Sequence, residues 1–139
     1  MPVEVHLVTP ERQVWSGAVE SVIARGVDGE VGILSGHAPL LIHLAIGPLR
    51  MLRGGGEAEL DAVVDGGFMH VTSSGMDTRV DVMATGADLA DEIDPAQVRA
   101  RAEELLGRLE GRDTDLAEAD LASVQAELRK AEARIALIG

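Results

Sequence analysis

The chain has no cysteine, so disulfides, thiolate nucleophiles and thiolate-ligated zinc are excluded. Aromatic side chains are almost missing: Trp15 and Phe68 are the only two of the Phe, Trp and Tyr type. Without them a single-strand nucleic-acid binder has no stacking platform. Positive charge is scarce as well. Twelve Lys and Arg stand against 24 Asp and Glu, a formal net charge of −12. Phosphate backbones and anionic lipid surfaces both need a basic field, so neither nucleic acid nor a membrane surface is an expected partner. No apolar run reaches spanning length, and the first residues lack the charged-then-apolar pattern of a signal segment. The expectation is a cytoplasmic protein without direct membrane insertion, held at any membrane by something else.

The inventory for catalysis is equally thin. No serine sits in a G-x-S-x-G setting, and His6, His37, His43 and His70 show no helical H-x-x-x-H spacing. His6 and His70 read as solvent-facing strand residues, and His43 as a strand or strand-end residue. Gly54-Gly55-Gly56 lacks the Lys-Ser/Thr of a phosphate loop and reads as a hairpin turn.

What is present is aliphatic. Of the 139 residues 46% are hydrophobic, and the mean hydropathy is +0.13, enough for a core of Val, Leu, Ile, Ala and Met. Up to about Leu89 the pattern is of strands. Val3, Val5 and Leu7 alternate with Glu4 and His6. A second strand begins at Val14 and Trp15 and stops at Gly17, and a third covers Val19 to Ala24. Leu49 to Arg53 follows Gly47-Pro48. Ala58, Leu60, Ala62 and Val64 alternate with Glu57, Glu59, Asp61 and Val63, and Asp65-Gly66-Gly67 reads as a turn before Phe68. Short strands with Gly-rich turns suggest a sandwich or barrel.

From Ala87 the period becomes helical. Asp94 as N-cap, Pro95 at N1 and Gln97 at N3 start a helix. Val98, Ala102, Leu105, Leu106 and Leu109 share one face, and Gly111 ends it. Asp115 with Glu118 forms a second capping box. Leu121, Val124, Leu128, Ala131, Ile135 and Ile138 then make a narrow seam. The result is an antiparallel helical hairpin whose seam packs on the sandwich, on a partner, or on each in turn. Its basic residues, Arg99, Arg101, Arg108, Arg112, Arg129, Lys130 and Arg134, read either as surface pairs or as a surface for an acidic partner.

The densest stretch is Gly29-Glu30-Val31-Gly32-Ile33-Leu34-Ser35-Gly36-His37-Ala38-Pro39-Leu40-Leu41. It reads as a short strand, a sharp turn with a polar tip at Ser35, Gly36 and His37, and a return into strand. Glu30 and His37 suggest an acid–base or metal-ligand pair, a protein-contact surface, or plain turn residues. Residue types alone leave contact and scaffold undecided.

Val8-Thr9-Pro10-Glu11, Val14-x-x-Gly17-x-Val19-Glu20, Asp28-Gly29-Glu30-x-Gly32-Ile33-Leu34-x-Gly36-His37-Ala38-Pro39-Leu40-Leu41, Gly47-x-Leu49-Arg50 and Gly66-Gly67-Phe68-x-x-Val71 together resemble the epsilon subunit of bacterial F-type ATP synthases. Order, spacing and total length agree over nearly the whole chain. Ser35 stands where that family usually has proline, which is expected to loosen the loop and leave the fold unchanged.

The resemblance implies a β-sandwich of two five-stranded sheets over residues 1–88 and a helical hairpin over 89–139. It implies a non-catalytic place in the rotor, against the gamma subunit and on the ring of c subunits. Glu30, Val31, Gly32, Ser35 and His37 would be the ring and gamma contacts, at the cytoplasmic face of the cell membrane. It further implies a hairpin that opens along gamma into the alpha/beta head and blocks ATP hydrolysis, with Arg129, Lys130 and Arg134 meeting the head. Some members bind regulatory ATP through Ile-Asp-x-x-Arg-Ala and late basic residues. Here Ile93 and Asp94 match, but Gln97 and Val98 replace the Arg-Ala, and Arg99 comes two residues late, about 200° around the helix. Asp94, Arg99, Lys130 and Arg134 remain as a weak ATP site at most, and no cofactor is expected. The competing readings are a free-standing binding module and a small metal-dependent enzyme built on Glu30 and His37.

Overall fold

The computed structural model describes residues 2–112 and 118–139. Its strands are β1 (Val3–Val8), β2 (Gln13–Val19), β3 (Ser21–Gly26), β4 (Gly29–Leu34), β5 (Leu40–Leu52), β6 (Leu60–Ser74), β7 (Asp77–Ala84) and β8 (Ala87–Leu89). A 3-10 turn (Ala90–Glu92) then leads to helices α1 (Pro95–Gly107) and α2 (Glu118–Ile138). Hydrogen bonds connect the strands in the order β2-β1-β7-β6-β5-β3-β4, with β8 also on β6. Among the described residues, only β1 and β7 run parallel.

Two strands are long because each serves both layers of the sandwich. Residues 40–44 of β5 pair with 67–71 of β6, in the layer that continues through β7, β1 and β2. Residues 46–51 pair with 60–65, in the layer that contains β3, β4 and β8. Each layer is thus five strands wide, as expected, but the two are one continuous path and not separate sheets. The crossing point is Gly66-Gly67, with φ of 86° and 130°. Sequence reading takes Asp65-Gly66-Gly67 as a reversal; the structure makes it a bend inside β6. The ladder survives because Thr85 N–H donates to Gly66 O (3.2 Å) and Asp65 N–H to Gly86 O (2.8 Å). Only glycine adopts such φ values without strain.

Other boundaries shift for similar reasons. β2 runs through Gly17 to Val19, and β5 runs through Gly47-Pro48. Pro48 is tolerated because the β3–β5 ladder is interrupted there, between Ala24↔Leu49 and Gly26↔Leu44. Ala87 begins a strand, not helical structure, since β8 completes the second layer against Ala62, Val63 and Val64.

Alternation fills the sandwich core. Val3, Val5, Leu7, Val22, Ala24, Ile33, Leu49, Met51, Met69, Val71, Val80 and Val82 are buried in one cluster drawn from both layers. Fully burying a Val, Leu or Met side chain is worth about 1.5–3 kcal/mol. Val63 faces away from this cluster yet is also fully buried. It lies on the outer face of β6, and α2 packs against β5 and β6 there.

The hairpin has its own core of Val98, Ala102 and Leu105 from α1 and Val124, Leu128 and Ala131 from α2. Asp94 caps α1 by accepting from the N–H groups of Ala96 (3.0 Å) and Gln97 (3.3 Å). Gly111, with φ of 87°, ends the α1 segment. Leu106 and Leu121, expected on the buried faces, are exposed instead. They sit at the edges of an apolar stripe narrowed by the small Ala102 and Ala131. The Asp115–Glu118 capping box rests on Asp115, which lies outside the described residues. Among the described residues, no helix is long and apolar enough to cross a membrane.

Candidate functional site

The Gly29-to-Leu41 stretch forms the edge strand β4, a turn, and the start of β5. Within β4, Ile33 is buried and Val31 half-buried, while Glu30, Gly32 and Leu34 point outward. Glu30 stands at one end, opposite Arg25 of β3. It is exposed and, among the described residues, has no side-chain hydrogen bond or ion pair.

Ser35 and His37 lie at the other end. His37 N–H closes the turn on Leu34 O at 3.1 Å. Ser35 Oγ donates to Met76 O at 2.6 Å, Gly36 N–H donates to Thr78 Oγ1 at 2.7 Å, and Ser73 Oγ donates to His37 O at 2.6 Å. The turn is therefore fastened to the β6–β7 connection. Ser35 does not loosen it as expected: a serine hydroxyl supplies a tie that proline lacks. His37 Nδ1 is 2.7 Å from Ala38 O, and the residue is half-buried. Glu30 and Leu34 alone are about 14 Å apart along an extended strand. Glu30 and His37 are not brought together as an acid–base or ligand pair.

A feature invisible in the linear reading adjoins Glu30. His43 of β5 stands opposite Phe68 of β6, Phe68 opposite Met83 of β7, and Met83 opposite Val8 of β1. Their neighbours Leu44, Met69, Val82 and Leu7 face the core, so this row faces outward. The His43 and Phe68 rings stack with centroids 4.9 Å apart and an interplanar angle of 13°. Phe68 is 49% exposed, Met83 44%, and nearby Leu41 and Val27 64% and 55%. A recess of about 280 Å³, lined in part by Val27, Glu30, Val31, Leu41 and His43, joins the row to the start of β4. One aliphatic and aromatic surface with a carboxylate at its rim results. A contiguous apolar patch of this kind marks a contact site. The sequence carried one signal for it: Phe68, half of the aromatic content, falls out of phase with the buried residues of its strand.

A second constellation lies between hairpin and sandwich. Arg134 of α2 donates through Nη1 and Nη2 to Asp65 (2.7 and 3.0 Å) and through Nε to Asp88 (2.9 Å). Its Nη1 also reaches Lys130 O at 3.0 Å. Only 13% of its side chain and 11% of that of Asp65 are exposed. Burial works to lower the Arg134 pKa, but hydrogen bonds to Asp65 and Asp88 and their charges outweigh it and raise the value. From the β1–β2 turn, Arg12 grips both carboxylate oxygens of Glu92 at 2.9 Å and lies 3.8 Å from Asp88. Glu92 also accepts from Leu89 N–H at 2.9 Å. The Arg12 hydrogen bond, then the Leu89 one, hold the Glu92 carboxyl below its ordinary pKa.

Beside this network is a cleft of about 480 Å³. Asp94, Gln97, Lys130 and Arg134 line it, together with Arg101; Arg99 does not, and is exposed. Lys130 Nζ pairs with Glu127 at 3.0 Å, and Arg129 is exposed. The lining carries Asp65, Asp88, Glu92, Asp94 and Glu127 against Arg101, Lys130 and Arg134, an excess of carboxylate that repels an anion. Among the described residues, no group of three or more His, Asp or Glu is arranged to hold a metal ion.

Comparison with known proteins adds to this geometry. Residues 2–90 match the family ATP synthase, Delta/Epsilon chain, beta-sandwich domain. The chain is 41% identical over 129 residues to the ATP synthase epsilon chain of Desulforamulus reducens, covering 93% of this chain and 91% of that one. It is 40% identical over 127 residues to that of Chromohalobacter salexigens, covering 88% and 86%. Among solved structures, it is similar to a chain of the Euglena gracilis mitochondrial ATP synthase OSCP/F1/c-ring assembly, with TM-score 0.79, 25% identity, and coverage of 99% and 82%. A chain of the Tetrahymena thermophila mitochondrial ATP synthase central stalk/c-ring shares the fold, with TM-score 0.60, 18% identity, and coverage of 100% and 98%.

Proposed function

Since the chain belongs to the epsilon chains of bacterial F-type ATP synthases, we propose that it is a non-catalytic rotor subunit that couples c-ring rotation to the catalytic head through gamma. The outward row His43, Phe68, Met83 and Val8 carries this reading. An acidic chain with two aromatic residues spends one of them on solvent-facing surface, which fits a protein partner better than water.

In this reading the row, with Leu41 and Val27, docks on gamma. Glu30, Val31 and Gly32 at the start of β4 meet the c ring from the cytoplasmic face of the cell membrane. Ser35 and His37 support the contact from the far end of β4, through the ties to Met76, Ser73 and Thr78. The hairpin, from residue 89 onward, is the regulatory unit that inhibits ATP hydrolysis when it opens toward the alpha/beta head. Opening frees Arg134 to join Arg129 and Lys130 on the face that meets the head. The cleft of Asp94, Lys130 and Arg134, with Arg99 turned away, does not bind ATP tightly; micromolar affinity by calorimetry would overturn this point.

The test is assembly with gamma. Phe68→Ser with Met83→Ser alters half-exposed positions outside the core, so the sandwich should stay folded with a loss of about 1–2 kcal/mol per site from the half-buried area and the His43 stack. Affinity for gamma should fall at least about tenfold, as expected for apolar anchors of an interface. Unchanged co-purification with gamma would remove this assignment of the face.

A further inference from the structure

The hairpin and the sandwich do not share an apolar core. The two buried clusters have no member in common. Apart from Val63, buried where α2 packs on β6, the two meet through the charged set Asp65, Asp88, Glu92, Arg12 and Arg134. We propose that the Asp65–Arg134–Asp88 clasp is the latch that keeps the hairpin docked, and that the hairpin swings as one body about Glu92–Ile93 when the clasp opens.

Three observations carry this. First, the sandwich side of the clasp is rigid. Asp65 sits at the bend of β6, where its N–H is donated to Gly86 O at 2.8 Å and its own carbonyl accepts from Thr85 Oγ1 at 2.7 Å. Second, among the described residues the charged tie from the helix side is one residue. Arg134 alone joins α2 to both carboxylates, which come from different strands. Third, the division between the two bodies is visible in the connecting chain. Glu92 is fastened to the sandwich by Arg12, whereas Ile93 packs against the hairpin core. Rotation between these neighbours breaks neither core.

Opening exposes all three charges of the clasp to water together. The recovered hydration offsets much of the lost attraction, so the docked and open forms lie close in free energy. Removing only one partner is different. With Arg134 neutral, Asp65 loses its counter-ion and Asp88 keeps only Arg12, at 3.8 Å, in the docked form, so the balance moves to the open one.

The inference deepens the regulatory reading of the hairpin and rests on it only for its consequence. Docking can be read on the isolated full chain, without gamma, ring or head, so the two can fail separately. The chain has no native cysteine. Exposed Ser74 and Ala122 can therefore be changed to cysteine and spin-labelled without interference. Pulsed electron–electron distance measurements should give a dominant docked population and a minor longer-distance one in the parent. Arg134→Gln should raise a longer-distance population by about tenfold or more, with helical circular dichroism unchanged. Asp65→Asn with Asp88→Asn should do the same, Arg134→Lys should fall between, and Arg129→Gln should match the parent. If the double Asn variant disturbs the β6 bend, Arg134→Gln still reads the clasp from the helix side. Unchanged distances in Arg134→Gln, or helix lost in step with the new population, would overturn the latch.

Discussion

Gly67→Ala tests the way the sandwich is built. An added Cβ would run into Met83 O, would lie 2.8 Å from Ala84 Cα and 3.0 Å from Met83 C, and would sit on a backbone with φ of 130°. All three atoms are backbone of β7, which is hydrogen-bonded to β6 through Gly67↔Ala84 and cannot turn aside as a side chain would. The disfavoured φ costs about 1–3 kcal/mol. Forcing the strands apart adds about 1–3 kcal/mol, as overpacking does. The expected loss is therefore about 2–6 kcal/mol, a large part of a typical domain's 5–15 kcal/mol. Gly75→Ala is the control: its φ is 61°, but nothing lies within 4 Å of an added Cβ. It should cost about 1–2 kcal/mol, the backbone term alone. Urea unfolding followed by Trp15 fluorescence reads both. Equal midpoints for the two variants would refute the close approach of β6 and β7 at the bend.

Four other outcomes are expected. Leu105→Ala, at a fully buried hairpin position, should destabilise the hairpin by about 2–5 kcal/mol. Thermal circular dichroism at the helix band should then melt earlier while the Trp15 transition stays in place; a joint shift would mean the two cores are not independent. A chain ending at Ala90 should still unfold cooperatively by Trp15 fluorescence, and loss of a cooperative transition would count against a separable sandwich. The Glu92 carboxyl is held below its ordinary value by Arg12, so that tie contributes stability above the ordinary carboxylate range. The contribution is lost as pH falls from the ordinary carboxylate range through the depressed value, and Glu92→Gln should flatten this limb of the stability curve. Glu30→Ala should leave folding intact and weaken the coupling of proton flow to ATP turnover in the assembled complex; unchanged coupling would return Glu30 to the scaffold.

Period-two alternation placed most strands, because Val3, Val5, Leu7 and Val80, Val82 each report which face is buried. Glycine was the misleading letter. Asp65-Gly66-Gly67 looks like a chain reversal, since a positive φ serves a turn and a bend equally well, and Gly47-Pro48 looks like a break before a strand. Only the partner strand decides, and here β7, β8 and the interrupted β3 ladder make both of them bends. Capping at Asp94 was legible because it is local. The outward row was not, because it needs the register of four strands, β1, β5, β6 and β7, at once. Arg134 was readable as a surface pair or as a partner contact. Its actual carboxylates lie 46 and 69 residues away in sequence, beyond any local pattern.

The parallel pairing of β1 with β7 also sets a timetable for synthesis. β1 can fold back on β2 as soon as both leave the ribosome, but its other edge belongs to β7, with Val3 opposite Thr78. At about 5–20 residues per second, that edge stays unpaired for roughly 4–16 s. An open edge invites pairing with the wrong chain. Glu4 and His6, which alternate with Val3, Val5 and Leu7, place polar side chains along the waiting strand and discourage such pairing. The helical hairpin has no such interval, because its two arms are neighbours in sequence and close on each other as they emerge. The hairpin, which follows the sandwich, is therefore ready as soon as it emerges, while β1 waits for most of the sandwich to follow.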